Sequence, residues 1–218
     1  MLLKASFGAL KDPTRADLVS SAGDLSSSIA LEKIRKKMLA DEEGAKILKE
    51  MPRVNSKTWN LEKLHNLPDG TFGHEYAFFM ESHGFTSDDR PLVKYVPNLE
   101  HAYILQRYKE VHDVAHVLLG YGTTVTEEIA VKWFEMMQTE LPMSALSAFV
   151  GPLNLVLLQR DLREVEKLMT IYLPHIMTNA KTSKMFLNVY YEKHFETPLD
   201  ELRHSMKIRP LSSFEQKH

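Results

Sequence analysis

The sequence places two histidines and an aspartate inside an apolar run, HDVAHVLLG, at residues 112–120. Side chains four residues apart lie one turn apart on a helix, so His112 and His116 would point the same way. A pair of glutamates, Glu127 and Glu128, follows after a short link that contains glycine. Imidazoles and carboxylates so arranged can chelate a divalent metal or form a catalytic acid–base pair, and they can also be satisfied locally without a function.

Both histidines are predicted to lie on the buried side of their helix. At about 100° per residue, His112 and His116 share a narrow sector with leucines, and Asp113 falls about 60° beyond it. Two inward imidazoles one turn apart favour a metal site, and an adjacent carboxylate can be a further ligand or can orient one ring. The alternatives are histidines that are simply hydrogen-bonded and an ion pair between Asp113 and Lys109.

The two glutamates are predicted to have different roles. Thr124 and Glu127 match a capping box, which would occupy Glu127 at a helix N-terminus. Glu128 is then the candidate further ligand, because its place in the first turn allows it to fold back on the histidine helix. Periodicity taken alone indicates the opposite, since Glu128 aligns with Lys132 and Glu135, away from the apolar stripe of that helix.

Helix signals dominate the chain, and no stretch shows sustained strand alternation. The predicted helices cover residues 28–40 and 41–51, the segment from 71 to Gly84, a long central helix from Asn98 to Leu119 capped by Gly120, a helix from Thr124 to near Pro142, and one that opens at 197–200 with a threonine cap and a proline in first position. We therefore expect an all-α protein whose metal site lies between the long central helix and the start of the next helix.

The composition of 218 residues, 44% hydrophobic and 26% charged, fits one helical domain over residues 1–218, with loosely ordered ends at 1–27 and 211–218. The formal net charge of −2 gives no reason to expect nucleic-acid binding. The absence of cysteine excludes disulfides and thiolate ligands. The first residues lack a long apolar region, so we expect no secretory signal.

Two segments bear on membranes or lipids. Residues 141–159, LPMSALSAFVGPLNLVLLQ, carry no charge and approach the length of a bilayer span, but Pro142 and the pair Gly151-Pro152 interrupt them. They are either a buried hairpin or an apolar surface for a lipid-like ligand, together with a face formed by Trp133, Phe134 and Met137. A basic cluster, Lys33, Arg35, Lys36 and Lys37, is either a solvated helix face or a contact for an anionic membrane.

The spacing HDxxH, eleven residues and a glutamate resembles the signature of the ubiquinone biosynthesis family known as the fourth Coq protein. The signature falls here on His112, Asp113, His116 and Glu128. Other segments are similar too, namely LPDGTFGHEYAFFM, LEHAYILQRYKEVHD, EIAVKWFEMMQTELPM and LNVYYEKHFETPLDELR, and the likeness extends to about Pro210. A spacing of four residues within a likeness along the whole chain is a specific signal.

The resemblance implies an all-helical, peripheral protein on the matrix face of the mitochondrial inner membrane, within the multi-protein complex that modifies the ubiquinone head group. It implies that the four signature residues hold a divalent metal, most often zinc. The implied activity removes the C1 carboxylate from 4-hydroxy-3-methoxy-5-polyprenylbenzoate. Partners would be proteins of the complex, prenylated intermediates and the lipid surface, and we also consider a homodimer. Tyr108, one turn before His112, is a candidate proton donor.

Two other functions compete with the decarboxylase. The first is a lipid-binding scaffold of the same complex, in which the metal is structural. The second is an all-helical HD-type metallophosphohydrolase, which also uses a His-Asp doublet. That type needs a distant upstream histidine and a downstream aspartate, for which His74, His83, His101 and Asp161 are available. It leaves the spacing of His116 and Glu128 unexplained.

Overall fold

The computed structural model describes residues 27–142 and 162–215, which form helices joined by short turns. The helices are α1 Ser28–Leu39, α2 Glu42–Glu50, α3 Leu61–His65, α4 Phe72–Ser82, α5 Leu99–Glu110, α6 His112–Leu119, α7 Val125–Thr139, α8 Leu162–Lys167, α9 Leu173–Thr182, α10 Leu199–Met206 and α11 Leu211–Glu215. Short 3₁₀ turns cover Ser87–Asp89, Phe186–Asn188 and Tyr191–Lys193, and a π turn covers Leu168–Tyr172. The described residues contain no β-strand, so the predicted all-α class is confirmed.

Three helices begin at a side chain that caps them. The side chains of Asp41, Asn98 and Thr124 each accept a hydrogen bond from a backbone N–H three residues ahead, which satisfies one of the donors that a helix start leaves open. Gly120 ends α6 with a φ of 74°, a left-handed conformation that costs glycine little. These predicted boundaries are confirmed, and those at Gly120 and Thr124 delimit the link between the two helices that carry the signature residues.

The predicted single helix from Asn98 to Leu119 is wrong in one respect, because the structure divides it at Val111. There φ is −94° and ψ is 10°, so one residue leaves the helical conformation while its N–H still bonds the carbonyl of Arg107. The break contains no proline or glycine, the residues that usually mark a helix break, so sequence patterns do not predict it. As a consequence, His112 is the first residue of α6.

The predicted threonine cap of the last long helix is also wrong. Helix α10 begins at Leu199, Pro198 takes the capping position, and no side chain caps the start. The reason is a tertiary contact: Pro198 forms an isolated bridge with Thr71, and the carbonyl of Thr197 accepts the N–H of Phe72. The backbone of 197–198 is therefore held extended against the start of α4, which delays the helix.

Helix α7 lies in the core, packed along α9 and against α6. Phe134 is fully buried and contacts Phe186 with ring centroids 5.8 Å apart, and Trp133 is buried as well. Only Met137 of this group has an exposed side chain. The idea that these three residues form an apolar surface for a lipid is therefore wrong, because tertiary packing has taken two of them into the core.

Among the described residues, no helix is both long and apolar enough to cross a bilayer. The uncharged run at 141–159 lies outside the described residues from position 143 onward, and so does Asp161. The basic cluster of α1 is matched by acids: Lys33 and Lys37 approach Glu140, Arg35 bonds Glu100, and Lys36 lies near Glu32. Its charge is thus largely compensated within the protein.

Candidate metal centre

Three metal-ligating side chains from two consecutive helices face one another and form a three-donor group. The Nε2 atoms of His112 and His116 on α6 lie 3.4 Å apart. Glu128, in the first turn of α7, places Oε2 3.4 Å from His112 Nε2 and Oε1 3.4 Å from His116 Nε2. Both histidines are buried, as predicted, while the side chain of Glu128 is 39% exposed. The cluster is therefore reached from its glutamate side.

The outer nitrogen of each ring is bound to an acceptor. His116 Nδ1 lies 2.8 Å from the carbonyl oxygen of Gly122, and His112 Nδ1 lies 2.6 Å from Oε1 of Glu135. Because these oxygens only accept, each Nδ1 carries a proton, so in the neutral form of each ring the lone pair is on Nε2. Lys132 Nζ also lies 3.0 Å from His112 Nδ1. An ammonium group only donates, so the shorter contact with the Glu135 carboxylate determines that His112 Nδ1 carries the proton.

The two Nε2 lone pairs and the carboxylate oxygens face one another, and such atoms repel unless a cation or a proton lies between them. A tetrahedral zinc site with bonds of about 2.05 Å separates its ligand atoms by about 3.3 Å. The two Nε2 atoms are 3.4 Å apart, and each lies 3.4 Å from a different oxygen of Glu128. Two imidazoles and a carboxylate are also a donor set that zinc accepts in catalytic sites. The residues present therefore fit a divalent cation.

Glu135 forms the layer behind His112. It is fully buried and accepts hydrogen bonds from the Tyr108 hydroxyl at 2.7 Å and from Lys132 Nζ at 2.8 Å. Burial raises its pKa, but Lys132 and His112 outweigh this effect and lower the pKa to about 2. Glu135 is thus an anion that orients His112 and accepts from Tyr108.

The electrostatics of the cluster favour a charged glutamate and a proton or metal between the groups. Burial would lower the pKa of His112 and so does Lys132, yet Glu135 and Glu128 together raise it above its ordinary value. Burial would raise the pKa of Glu128, but its contacts with both imidazoles hold it well below the usual range. The carboxylate of Glu128 is therefore ionised at neutral pH.

Asp113 lies apart from the three-donor group. Its Oδ1 is 2.5 Å from Nη2 of Arg90, and its side chain is almost fully buried. A role for Asp113 as a metal ligand stays a prediction, and the pair with Lys109 is replaced by the pair with Arg90. The sequence did not indicate Arg90, which lies in the irregular segment between α4 and α5, where periodicity carries no information.

The link between His116 and Glu128 is held from both sides. The carbonyl of Gly122 accepts from His116, and the N–H of Gly122 donates to Glu127 Oε1. Glu127 also completes a capping box with Thr124, as predicted. Because Glu127 is occupied in this way, Glu128 is the glutamate that reaches the histidines.

The histidines required by the phosphohydrolase interpretation lie elsewhere. His74 bonds the carbonyls of His65 and Leu67, and His83 bonds the carbonyl of Phe79. His101 pairs with Glu32. None of the three belongs to the three-donor group.

Fold and site together define an all-helical protein with a histidine–carboxylate cluster between two consecutive helices. The family model described as "Coenzyme Q (ubiquinone) biosynthesis protein Coq4" matches residues 1–212. The chain belongs to this family of ubiquinone biosynthesis proteins, and the resemblance inferred from the signature is confirmed.

Individual relatives agree with this assignment. The chain is 42% identical over 203 residues to a mitochondrial ubiquinone biosynthesis protein COQ4 homolog of Nematostella vectensis, covering 93% of this chain and 96% of the relative. It is 45% identical over 190 residues to COQ4 homolog 2 of Paramecium tetraurelia, covering 87% and 88%. A crystal structure of a protein assigned to ubiquinone biosynthesis from Nostoc punctiforme is similar with a TM-score of 0.74 over 94% of this chain and 95% of that chain, at 22% identity, which supports the fold.

Proposed function

We propose that this protein removes the C1 carboxylate of 4-hydroxy-3-methoxy-5-polyprenylbenzoate in ubiquinone biosynthesis. The proposed reaction uses a divalent metal, which we propose to be zinc. The observation that carries the proposal is that the Nε2 atoms of His112 and His116 and the carboxylate of Glu128 face one another at 3.4 Å. Membership of the family supports the pathway, and this set of metal-ligating atoms supports a Lewis-acid reaction within it.

His112, His116 and Glu128 would hold the metal, with Asp113 as the proposed fourth ligand of the signature. When bound, the metal supplies Lewis-acid stabilisation of negative charge on a carboxylate or phenolate oxygen. In the overall reaction the bond between C1 and the carboxylate breaks, CO₂ leaves, and a proton takes its place on the ring. Glu128 is the exposed member of the group, so substrate would approach from its side.

Tyr108 is the candidate proton donor, but its contacts favour a different role. Its hydroxyl donates to Glu135 on the outer edge of His112, whereas the lone pair of His112 points the other way. The geometry supports a positioning role more directly: Tyr108 and Lys132 fix Glu135, and Glu135 fixes the ring and the tautomer of His112.

The proposed setting follows from the family. Relatives carry the word mitochondrial in their names, and we place this chain at the matrix face of the inner membrane as a peripheral protein. Its partners would be other proteins of the ubiquinone-synthesis complex, prenylated benzoate intermediates and the lipid surface. A homodimer is part of the same proposal.

The deciding experiment compares wild type with Glu128→Gln while a short-chain 4-hydroxy-3-methoxy-5-prenylbenzoate is supplied and release of its carboxylate is followed. Glu128→Gln keeps the side-chain volume but removes the charge, so we expect a folded protein with much slower turnover. Glu127→Gln is the matched control and should turn over normally. If wild type and Glu128→Gln both stay at background while only complex assembly suffers, the scaffold is the correct function.

A further inference from the structure

Arg90 is an arginine with unused donors beside the metal centre. Its Nη2 bonds Asp113, which directly follows His112 in the chain. Its Nε and Nη1 have no hydrogen-bond partner among the described residues, and its side chain is 33% exposed. A guanidinium offers five N–H donors in a planar fork, so most of its capacity to bind an anion is free.

The charges around the cluster sum to a net positive value that one more anion would neutralise. Arg90 balances Asp113, and Lys132 balances Glu135. Glu128 is the remaining negative charge, so the site loaded with a divalent cation carries one net positive charge with neutral histidines, and this sum is the same when Asp113 also contacts the cation. Burial lowers the pKa of Arg90, but Asp113 raises it more strongly, and Glu135 and Glu128 make smaller contributions in the same direction.

We propose that Arg90 binds the carboxylate of an aromatic acid at the mouth of the metal centre, and that Asp113 holds the guanidinium in place for it. The nature of the anion rests on the proposed function. A carboxylate carries the single negative charge that the loaded site lacks, and its two oxygens match the planar fork of an arginine.

Tyr76 offers a second hydrogen-bond donor, and the charges of Asp113 and Arg90 both act on it. The hydroxyl of Tyr76 is buried and has no hydrogen-bond partner among the described residues. Burial raises the pKa of Tyr76 and Asp113 raises it further, whereas Arg90 lowers it, so the phenol stays protonated and is influenced by both charges. A buried hydroxyl without a partner requires a water or a ligand oxygen, which is consistent with a polar occupant beside Arg90.

Arg53 provides a matched control for Arg90. It pairs with Glu110, and the exposed fractions of the two side chains are 39% and 3%, compared with 33% and 4% for Arg90 and Asp113. Unlike Arg90, it uses both Nε and Nη2 on its carboxylate. Arg53→Gln therefore removes the same charge from an equally buried partner, so it accounts for any loss that is merely structural.

The test measures binding of a short-chain 4-hydroxy-3-methoxy-5-prenylbenzoate and of its uncharged methyl ester to zinc-loaded protein by calorimetry. We expect wild type and Arg53→Gln to prefer the acid, and Arg90→Gln to lose about tenfold or more in affinity for the acid only. Zinc content and circular dichroism should be unchanged. If Arg90→Gln fails to fold, Arg90→Lys decides: it keeps the charge beside Asp113 but lacks the fork, and it should also weaken binding of the acid.

Three results would overturn the inference: no preference of wild type for the acid over the ester, equal losses in Arg90→Gln and Arg53→Gln, or an unchanged affinity in a folded Arg90 variant. Failure of the proposed function looks different. Binding of the acid that depends on Arg90 but leads to no CO₂ release would support the inference and refute the decarboxylase. A wild-type kcat/KM for CO₂ release in Arg90→Gln would refute the inference and support the decarboxylase.

Discussion

Neighbouring glutamates in one helical turn have separate roles here, and exchange of each for glutamine should separate them. Glu127 bonds the backbone at the start of α7, and glutamine can serve a capping box equally well. We expect Glu127→Gln to retain zinc, measured by elemental analysis after gel filtration, with little change in stability. Glu128→Gln should lose most of its zinc while circular dichroism shows an intact fold. The reverse pattern would show that the two roles are exchanged.

Glu135 should tune the affinity for metal without touching it. Removal of its charge in Glu135→Gln makes His112 a weaker base, and outer partners of this kind alter metal affinity by about 10–100-fold. Competition with a chromophoric chelator would measure the change. Tyr108→Phe is the control, because it removes one hydrogen bond from Glu135 but leaves its charge. Equal affinities in wild type and Glu135→Gln would contradict the positioning role.

Protons and metal should compete for the same lone pairs. The pKa of His112 is raised in the folded, metal-free protein, so the stability it contributes is present below 6.5 and is lost as pH rises through the folded pKa. Zinc needs the deprotonated ring, so its stabilising effect should be larger at about pH 8 than at about pH 5. Thermal unfolding with and without zinc would measure this difference. A His112→Ala/His116→Ala variant should show no zinc effect at either pH.

At the scale of the helix, the polar stripe of α7 shows where sequence patterns mislead. Glu128, Lys132 and Glu135 share one face, and polarity alone suggests that this face meets solvent. The structure instead turns it toward α6, because two histidines there offer partners that water would otherwise supply. Glu135 follows Glu128 by seven residues, which is two helical turns, so both lie on the same face of α7. Because the signature assigns Glu128 to the cluster, this spacing indicates that Glu135 also faces the histidines.

Other elements were predictable to different degrees. The helix starts at Asn98 and Thr124 follow from local capping chemistry, which the sequence displays directly. The break at Val111 and the pair of Arg90 with Asp113 depend on contacts between distant segments. A pattern read along one helix contains no distances to another segment, so these features required the structure.

The αL glycine that ends α6 should matter to both the fold and the metal. A side chain at Gly120 is strained because φ is 74°, and its Cβ would lie 3.4 Å from Pro210. We expect Gly120→Ala to reduce the free energy of unfolding by about 1–2 kcal/mol in urea titrations, and to weaken zinc binding because the link to Glu128 shifts.

Gly84→Ala is the control for Gly120→Ala. Gly84 has a similar φ of 67°, but nothing lies within 4 Å of an added Cβ. It should show the backbone strain without the loss of zinc affinity. Equal zinc affinity in the two variants would mean that the end of α6 does not position Glu128.

At the scale of the whole molecule, the proposed function implies peripheral attachment to the inner membrane, and this attachment can be tested. If the proposed setting is correct, alkaline carbonate or high salt should release the protein from mitochondrial inner membranes, while a marker with a transmembrane helix stays in the pellet. Retention after carbonate treatment would require residues 141–159 to be reconsidered as a span.

The two hydrogen bonds at Gly122 have a consequence for how quickly the centre can be loaded. With its carbonyl tied to His116 and its N–H tied to Glu127, the link keeps its shape before any cation arrives. Little conformational entropy remains to be lost on capture, so the rate of metal uptake should follow diffusion and dehydration of the ion rather than ordering of the chain. The amide of Gly122 should exchange its hydrogen slowly in the metal-free protein and no more slowly after zinc is added.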